Sequence, residues 1–386
     1  MLMTMDSTVI ERATELRSLV SALAQLRDGI GVLSITIGID PGTVSAGTPS
    51  WEIVLENDLN RLRHDSPVRS TLERRAKYVS PRLEELLDPA TSGRGRALYV
   101  ALDSGLVSEA ILQPELPTGA RLGPAAHVLP LLAALDEGEP AGLLSASRDS
   151  ISVSELELGR MRHLDRIELE PVVGDWWPEM KGPAQANPQR GQQTVSQRDR
   201  YARRIAAAYR HTLSAAASTT GLLAGERGWS RAVLAGDPRR TDVLETVLRE
   251  HGLETTTIDA NLEGLRAEDA LERFEHALET LLAEERARLA EEVVSAASAA
   301  SGLVPVLAAL AEARVERLLI DSGRTFPGTV GPDESLVASG PGEEGVDLTD
   351  LLVARSLATG ATVIPLNGEA ARALGAAEGI AAFLRW

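Results

Sequence analysis

The chain has 386 residues, a formal net charge of −17 and no cysteine. Its length exceeds one ordinary core and predicts two or three domains, and the missing cysteines exclude disulfides, thiolate metal sites and cysteine nucleophiles. Such acidity argues against a protein that coats DNA or RNA with its whole surface, and leaves room for a local RNA contact only. Aromatic residues are 3% of the chain, so Ala, Leu, Val and Ile must supply most of the packing. The first residues mix acids and Arg with apolar positions, unlike a signal peptide, and no apolar run reaches the length of a membrane span. The expectation is a cytoplasmic protein with no membrane and no DNA partner.

Taken in order, Glu11 to Asp28 carries Leu16, Leu19, Val20, Leu23 and Leu26 at helical spacing, with Gly29 and Gly31 as its stop. Residues 32–37 read as a buried strand closing at Asp40-Pro41-Gly42, and 51–87 as a charged helical region broken near Ser66-Pro67. Residues 96–102 and 106–112 read as a hairpin, and the apolar run 127–135 leads out of a first domain that ends near Gly138. After that boundary, 141–147, 151–156 and 166–170 alternate as strands. An apolar strand, 230–236, ends in Gly236, and a helix starts at Asp237-Pro238. A second boundary is read over 253–264. Beyond it, Leu271, Phe274, Leu278 and Leu281 mark a long helix whose ten acids and four arginines between Glu263 and Glu292 read as a solvated face. Helix 303–313, strand 315–320, a Pro/Gly-rich loop over 323–345, helix 347–359, strand 361–366, a short helix 368–374 and strand 379–386 complete the chain. This pattern predicts an α/β (α+β) protein of three domains: a mixed-sheet N-terminal domain over 1–138, a mixed α/β middle domain over 139–264 and an α/β sandwich over 265–386.

The stretch from Pro183 to His211 stands apart. It opens as a polar loop with Pro183 and Pro188, passes through Arg190-Gly191-Gln192-Gln193, and turns into a helix for which Ser196 and Asp199 offer a capping box. Tyr201, Ile205, Ala208 and Tyr209 form its apolar stripe, and Arg200, Arg203, Arg204 and Arg210 lie mostly outside it. Between Glu179 and His211 there are seven Lys/Arg against two acids, the most basic patch of an acidic chain. A glutamine-bearing loop over 183–196 is therefore expected on a basic helix.

Three features then fall into one order. The Arg190-Gly191-Gln192-Gln193 loop is followed by the basic helix and by a strand ending Leu234-Ala235-Gly236. Further on come Leu310 to Ile320 and the terminal strand Gly379 to Trp386. In this the chain resembles the archaeal and eukaryotic class-1 peptide-chain release factors and Pelota, and more closely their bacterial relatives, from about Ala141 to the C-terminus. The resemblance implies a ribonuclease H-like middle domain, ribosomal rRNA and tRNA as partners, a translation GTPase as a further partner, and entry of the Gly-Gln loop into the peptidyl-transferase centre. It places Gln193 in the catalytic position, with Gly191 as the first glycine and Gln192 where the family has its second. Arg190, Arg198, Arg200, Arg203 and Arg204 would bind RNA. The stop-codon-reading motifs of eukaryotic factors are absent from the first domain, so codon-specific termination is not expected.

The chemistry fits the residue types. Glycine allows backbone to approach RNA closely, and a glutamine amide both donates and accepts, as positioning water against an ester requires. A side chain at position 192 adds bulk where the family loop is thin. Release of nascent chains from peptidyl-tRNA and non-catalytic docking in ribosome rescue or hibernation therefore both stay open. So does an acidic scaffold that never meets the ribosome, in which the arginines are a solvated face and the glutamines are plain surface. Trp176 and Trp177 suit base stacking or loop anchoring. The six histidines show no metal-binding spacing, and no phosphate-binding loop or serine elbow is present. Neither a cofactor nor a metal is expected.

Overall fold

The computed structural model describes residues 8–39, 49–65, 69–88, 91–147, 149–169, 190–260, 262, 265–340, 343 and 345–386. They belong to two compact units, one of Met1–Glu139, Glu157–Arg160 and Leu282–Trp386, the other of Pro140–Leu156 and Met161–Leu281.

The first unit begins with β1 (Thr8–Val9), α1 (Ala13–Ala24), β2 (Arg27–Gly38), α2 (Ser50–Asp65), α3 (Arg69–Leu87), β3 (Gly95–Ala101), β4 (Val107–Leu112), β5 (Gly119–Ala125) and α4 (Leu129–Glu137). Its sheet runs β1-β4-β3-β2-β5. The spacing read from the sequence holds in α1, where Leu16, Val20 and Leu23 are buried. Strand β2 starts five residues earlier than Val32, because Gly29 and Gly31 form an irregularity in the strand. The register with β5 slips between Arg27 and Val32, Gly31 takes φ 135°, and the Asp28 carboxylate accepts the amides of Ile30, Gly31, Asp103 and Ser104. Strand β5 went unread because Gly119, Gly123 and Pro124 resemble a turn. It lies at the sheet edge, where proline is tolerated.

The second unit holds β6 (Ala141–Ala146), β7 (Ser150–Glu157), β8 (Arg160–Glu168), α5 (Arg190–Arg227), β9 (Arg231–Gly236), α6 (Pro238–Glu250), β10 (Glu254–Ile258) and the first part of α7 (Ala267–Ser295). The sheet order is β10-β9-β6-β7-β8, with β6 antiparallel to β7 and parallel to β9, and β9 parallel to β10. Numbered within the unit this is 3-2-1-4-5 from the β8 side, the ribonuclease H-like arrangement. The segment read as a second boundary thus contains a strand, whose three threonines and one isoleucine suit a pleated edge. Gly236 ends β9 opposite Ala146 with φ 141°, and a Cβ there would lie 2.5 Å from the Ala146 carbonyl oxygen. Helix α6 follows at once, its N-cap Asp237 accepting the Arg239 amide at 2.9 Å and Pro238 opening the first turn.

The chain then completes the first unit with β11 (Ala299–Ser301), α8 (Leu303–Ala311), β12 (Val315–Asp321), β13 (Pro327–Val330), β14 (Leu336–Ala338), β15 (Val346–Asp347), α9 (Thr349–Ala358), β16 (Thr362–Leu366), α10 (Gly368–Ala373) and β17 (Ile380–Leu384). One sheet runs β11-β17-β12-β16. The stretch over 323–345, expected as a loop, contributes β13 and β14 to a small sheet of order β14-β13-β15. Leu16, Leu131, Val306, Leu318 and Leu352 belong to one continuous core, so the N-terminal and C-terminal segments fold together. Buried Arg286 joins them further, with its guanidinium 2.7 Å from Asp136 and 3.2 Å from Glu137. Asp347, paired with Arg121, does the same: burial raises its pKa, but the Thr349 hydroxyl, the amides of Phe326 and Thr349, and Arg121 outweigh that and hold the carboxyl below its usual range.

A candidate nucleic-acid interface on helix α5

Helix α5 is 38 residues long, and its two ends are built differently. In the half towards the C-terminus, Leu213, Ala216, Ala217, Thr220 and Ala224 are buried at steps of three and four, and pack into the core that also holds Leu144, Val153 and Leu234 of the sheet. Gly228, at φ 72°, stops the helix, and the Trp229 amide donates back to the Ala224 carbonyl at 2.9 Å. Beneath this end sits Glu155 of β7, 2% exposed. Its carboxylate accepts the Trp229 indole N–H at 2.9 Å and the Arg227 guanidinium at 3.1 Å. The Trp229 ring lies against Gly142, where a Cβ would come within 2.4 Å of it. The sequence reading missed this clamp. Its one signal was a lone tryptophan directly after a helix-ending glycine.

Towards the N-terminus the packing thins. Tyr209 is half-buried against the same core, with the Arg240 guanidinium 6.0 Å from its ring centroid. Beyond it, Arg203, Arg204 and Arg210 are exposed. From Arg190 to Arg210 the helix holds six arginines and one acid, Asp199.

Every site residue read from the sequence falls on this one helix. Arg190, Gly191, Gln192, Gln193, Arg198, Arg200, Arg203 and Arg204 all lie between its first residue and its fourth turn. The helix starts at Arg190, six residues before the Ser196 capping position, so residues 190–196 are helical where a loop was expected. Among them Gly191 opposes a helix most and β-branched Thr194 and Val195 weakly, while arginine and glutamine favour it. Pro183 to Gln189, with Trp176 and Trp177, lie outside the described residues. Helical register sorts the positions into rows. Positions 193, 200 and 204 share one row at i, i+7 and i+11. Positions 192, 203 and 210 share a second, and 191 and 198 continue the row of Tyr209 and Ala216. Each glutamine thus stands in line with two arginines. At 1.5 Å per residue, Gln193 lies about 24 Å along the axis from Tyr209, where the helix meets its core. A basic rod of this kind suits salt-dependent contact with phosphates, and two amides at its tip can both donate and accept. Among the described residues no group of three or more metal-ligating side chains occurs, and no helix is long and apolar enough to cross a membrane.

Residues 127–286, a span that contains the whole second unit, match the model of bacterial archaeo-eukaryotic release factor family 10. None of the curated proteins matches the sequence. Among solved structures, the chain is similar to an archaeal translation termination factor, aRF1, at 17% identity over 98% of this chain and 99% of that one, with a TM-score of 0.26. It is similar to Pelota of Archaeoglobus fulgidus at 14% identity over 76% and 79%, with a TM-score of 0.32. With Dom34 of S. cerevisiae, a translation termination-like factor of RNA quality control that interacts with Hbs1, the identity is 11% over 96% and 93%, and the TM-score 0.36. Similarities this low carry no weight beside the family match. That match makes residues 127–286 a release-factor-like region, similar to the bacterial relatives of the archaeal and eukaryotic class-1 release factors and Pelota.

Proposed function

We propose that the protein is a ribosome-associated translation factor that docks the N-terminal end of α5 at the peptidyl-transferase centre, in ribosome rescue or hibernation. The observation that carries this reading is the family match over the whole second unit, with the six-arginine stretch of α5 inside it. On this reading Arg190, Arg198, Arg200, Arg203 and Arg204 meet rRNA or tRNA phosphates, and Gly191, Gln192 and Gln193 sit at the tip. Dom34 interacts with Hbs1; by analogy a translation GTPase would deliver this protein.

A second reading keeps the same docking and adds hydrolysis of peptidyl-tRNA, with the Gln193 amide orienting water against the ester. Gln192 in the place of the family's second glycine, within a helical turn, favours docking alone. The net charge of −17 favours a third reading, a scaffold that never meets the ribosome, and the arginine rows of α5 oppose it.

One experiment separates the three. Ribosomes carrying labelled peptidyl-tRNA are mixed with the protein, and both co-sedimentation and peptide release are measured for wild type and Gln193→Ala. Binding without release is the expected result. Release that vanishes in Gln193→Ala would make the protein a hydrolase, and no co-sedimentation at low salt would leave the scaffold.

A further inference from the structure

The sheet of the second unit has two edges, and they are treated differently. One edge, β8, carries three arginines, a histidine and two acids in nine residues, which blunts pairing with a foreign strand. The other, β10, has the sequence Glu254-Thr255-Thr256-Thr257-Ile258, with no proline, lysine or bulge, and pairs in unbroken register with β9 on one side only. The Glu254 amide donates to the Ser230 carbonyl on the β9 side at 2.9 Å. In a parallel strand successive residues aim their backbone groups to opposite sides, so those of Thr255 and Thr257 point away from the sheet. Among the described residues nothing pairs with them.

Thr255 is buried, 5% exposed, and the accessible part of the edge, from Thr256 to Ile258, lines a groove of about 760 Å³. One wall is β10 and Asp259. The other is Leu265 and one stripe of α7, in which Asp269, Glu272, His276 and Thr280 recur at helical spacing. A strand edge facing a helix across a groove is the geometry in which an extended peptide adds a strand, with main-chain bonds giving affinity and the helix reading side chains. The charge selects the occupant. Of the side chains that line the groove, Asp269 and Glu272 on the helix and Asp259 at the strand end are acids, against Arg273 alone. Ile258 and exposed Leu265 add apolar surface.

We propose that this groove is a docking site for an extended, arginine- or lysine-rich segment of a partner protein, which adds a strand to β10. A strand of about four to six residues fits the length of the edge. The site is independent of α5 and of the ribosomal reading.

The test uses the full chain and two fluorescent eight-residue peptides, one alternating arginine and valine, the other alternating glutamate and valine. The arginine peptide is expected to bind saturably, more weakly as salt rises, and to protect the Thr257 amide from hydrogen exchange. Thr257→Pro removes an outward donor without touching the β9 ladder, and should weaken binding at least tenfold. The double substitution Asp259→Lys with Glu272→Lys should turn the preference towards the glutamate peptide, and it decides alone if the proline variant does not fold. Equal affinity for the two peptides, no protection at β10, or binding indifferent to these substitutions would overturn the proposal. So would a wild-type dimer that Thr257→Pro makes monomeric, since a second copy would then be the occupant.

Discussion

The two halves of α5 are one continuous helix of two different compositions. From Tyr209 to Arg227 it is a core element, with small and apolar residues at every inward step and a carboxylate, an indole and a guanidinium locking its end. From Arg190 to Arg204 it is written in arginine and glutamine, and the arginines with described side chains, Arg203 and Arg204, are exposed. Arg203 is exposed, so the fold of the second unit is not expected to depend on which cation stands there. The division lets one half set the fold while the other is free to change with its partner. Substitutions should therefore separate cleanly into those that unfold the unit and those that only weaken its binding.

The largest effects belong to the buried half. Leu234 of β9 and Leu213 of α5 share one core and are 0% and 1% exposed. Truncating either to alanine leaves a cavity and should cost about 2–5 kcal/mol in urea unfolding. Ribosome binding by the molecules that remain folded should not change. Next comes Glu155→Ala, which strands a buried indole N–H and leaves Arg227 without its carboxylate; about 2–4 kcal/mol is expected by the same measurement. Gly142→Ala tests the clamp from the other side. The added methyl meets the Trp229 ring, and overpacking should cost about 1–3 kcal/mol with a change in tryptophan fluorescence near that site.

The same contrast explains what the sequence disclosed. The helix start at Asp237-Pro238 and the strand ending at Gly236 are local signals, and both elements stand where their residues put them. The order Gly-Gln-Gln, basic helix and Leu-Ala-Gly strand pointed to the release-factor kin from a few residues. What stayed hidden depends on partners distant in sequence. Strand β10 is an edge of threonines with no core pattern of its own, visible only through β9. Strand β5 hides behind Gly123 and Pro124, whose turn chemistry an edge position tolerates. Glu155 looks like an outward residue of an alternating strand, and only Trp229, 74 residues away, makes it a buried anchor. The start of α5 at Arg190 was missed for a local reason: Ser196 and Asp199 offer a good cap, but the residues before them have no strong objection to a helix.

The smallest effect on stability should accompany the largest on binding. Arg203 and Arg204 are exposed on the outward half, and replacing both with alanine should change the unfolding free energy by no more than about 0.5 kcal/mol. If each meets a phosphate, the pair contributes to the salt dependence of ribosome co-sedimentation. The slope of log affinity against log salt should fall by about 0.7–0.9 for each arginine lost. A uniform weakening with the slope unchanged would mean that the helix meets protein or stacked bases instead. A loss of stability in the double variant would dissolve the division itself, because the outward half would then be holding the fold. Replacement by lysine sharpens the result. It keeps the charge and hence the slope, but removes the bidentate fork, so any remaining loss of affinity measures how far these two side chains grip phosphates by geometry over and above charge.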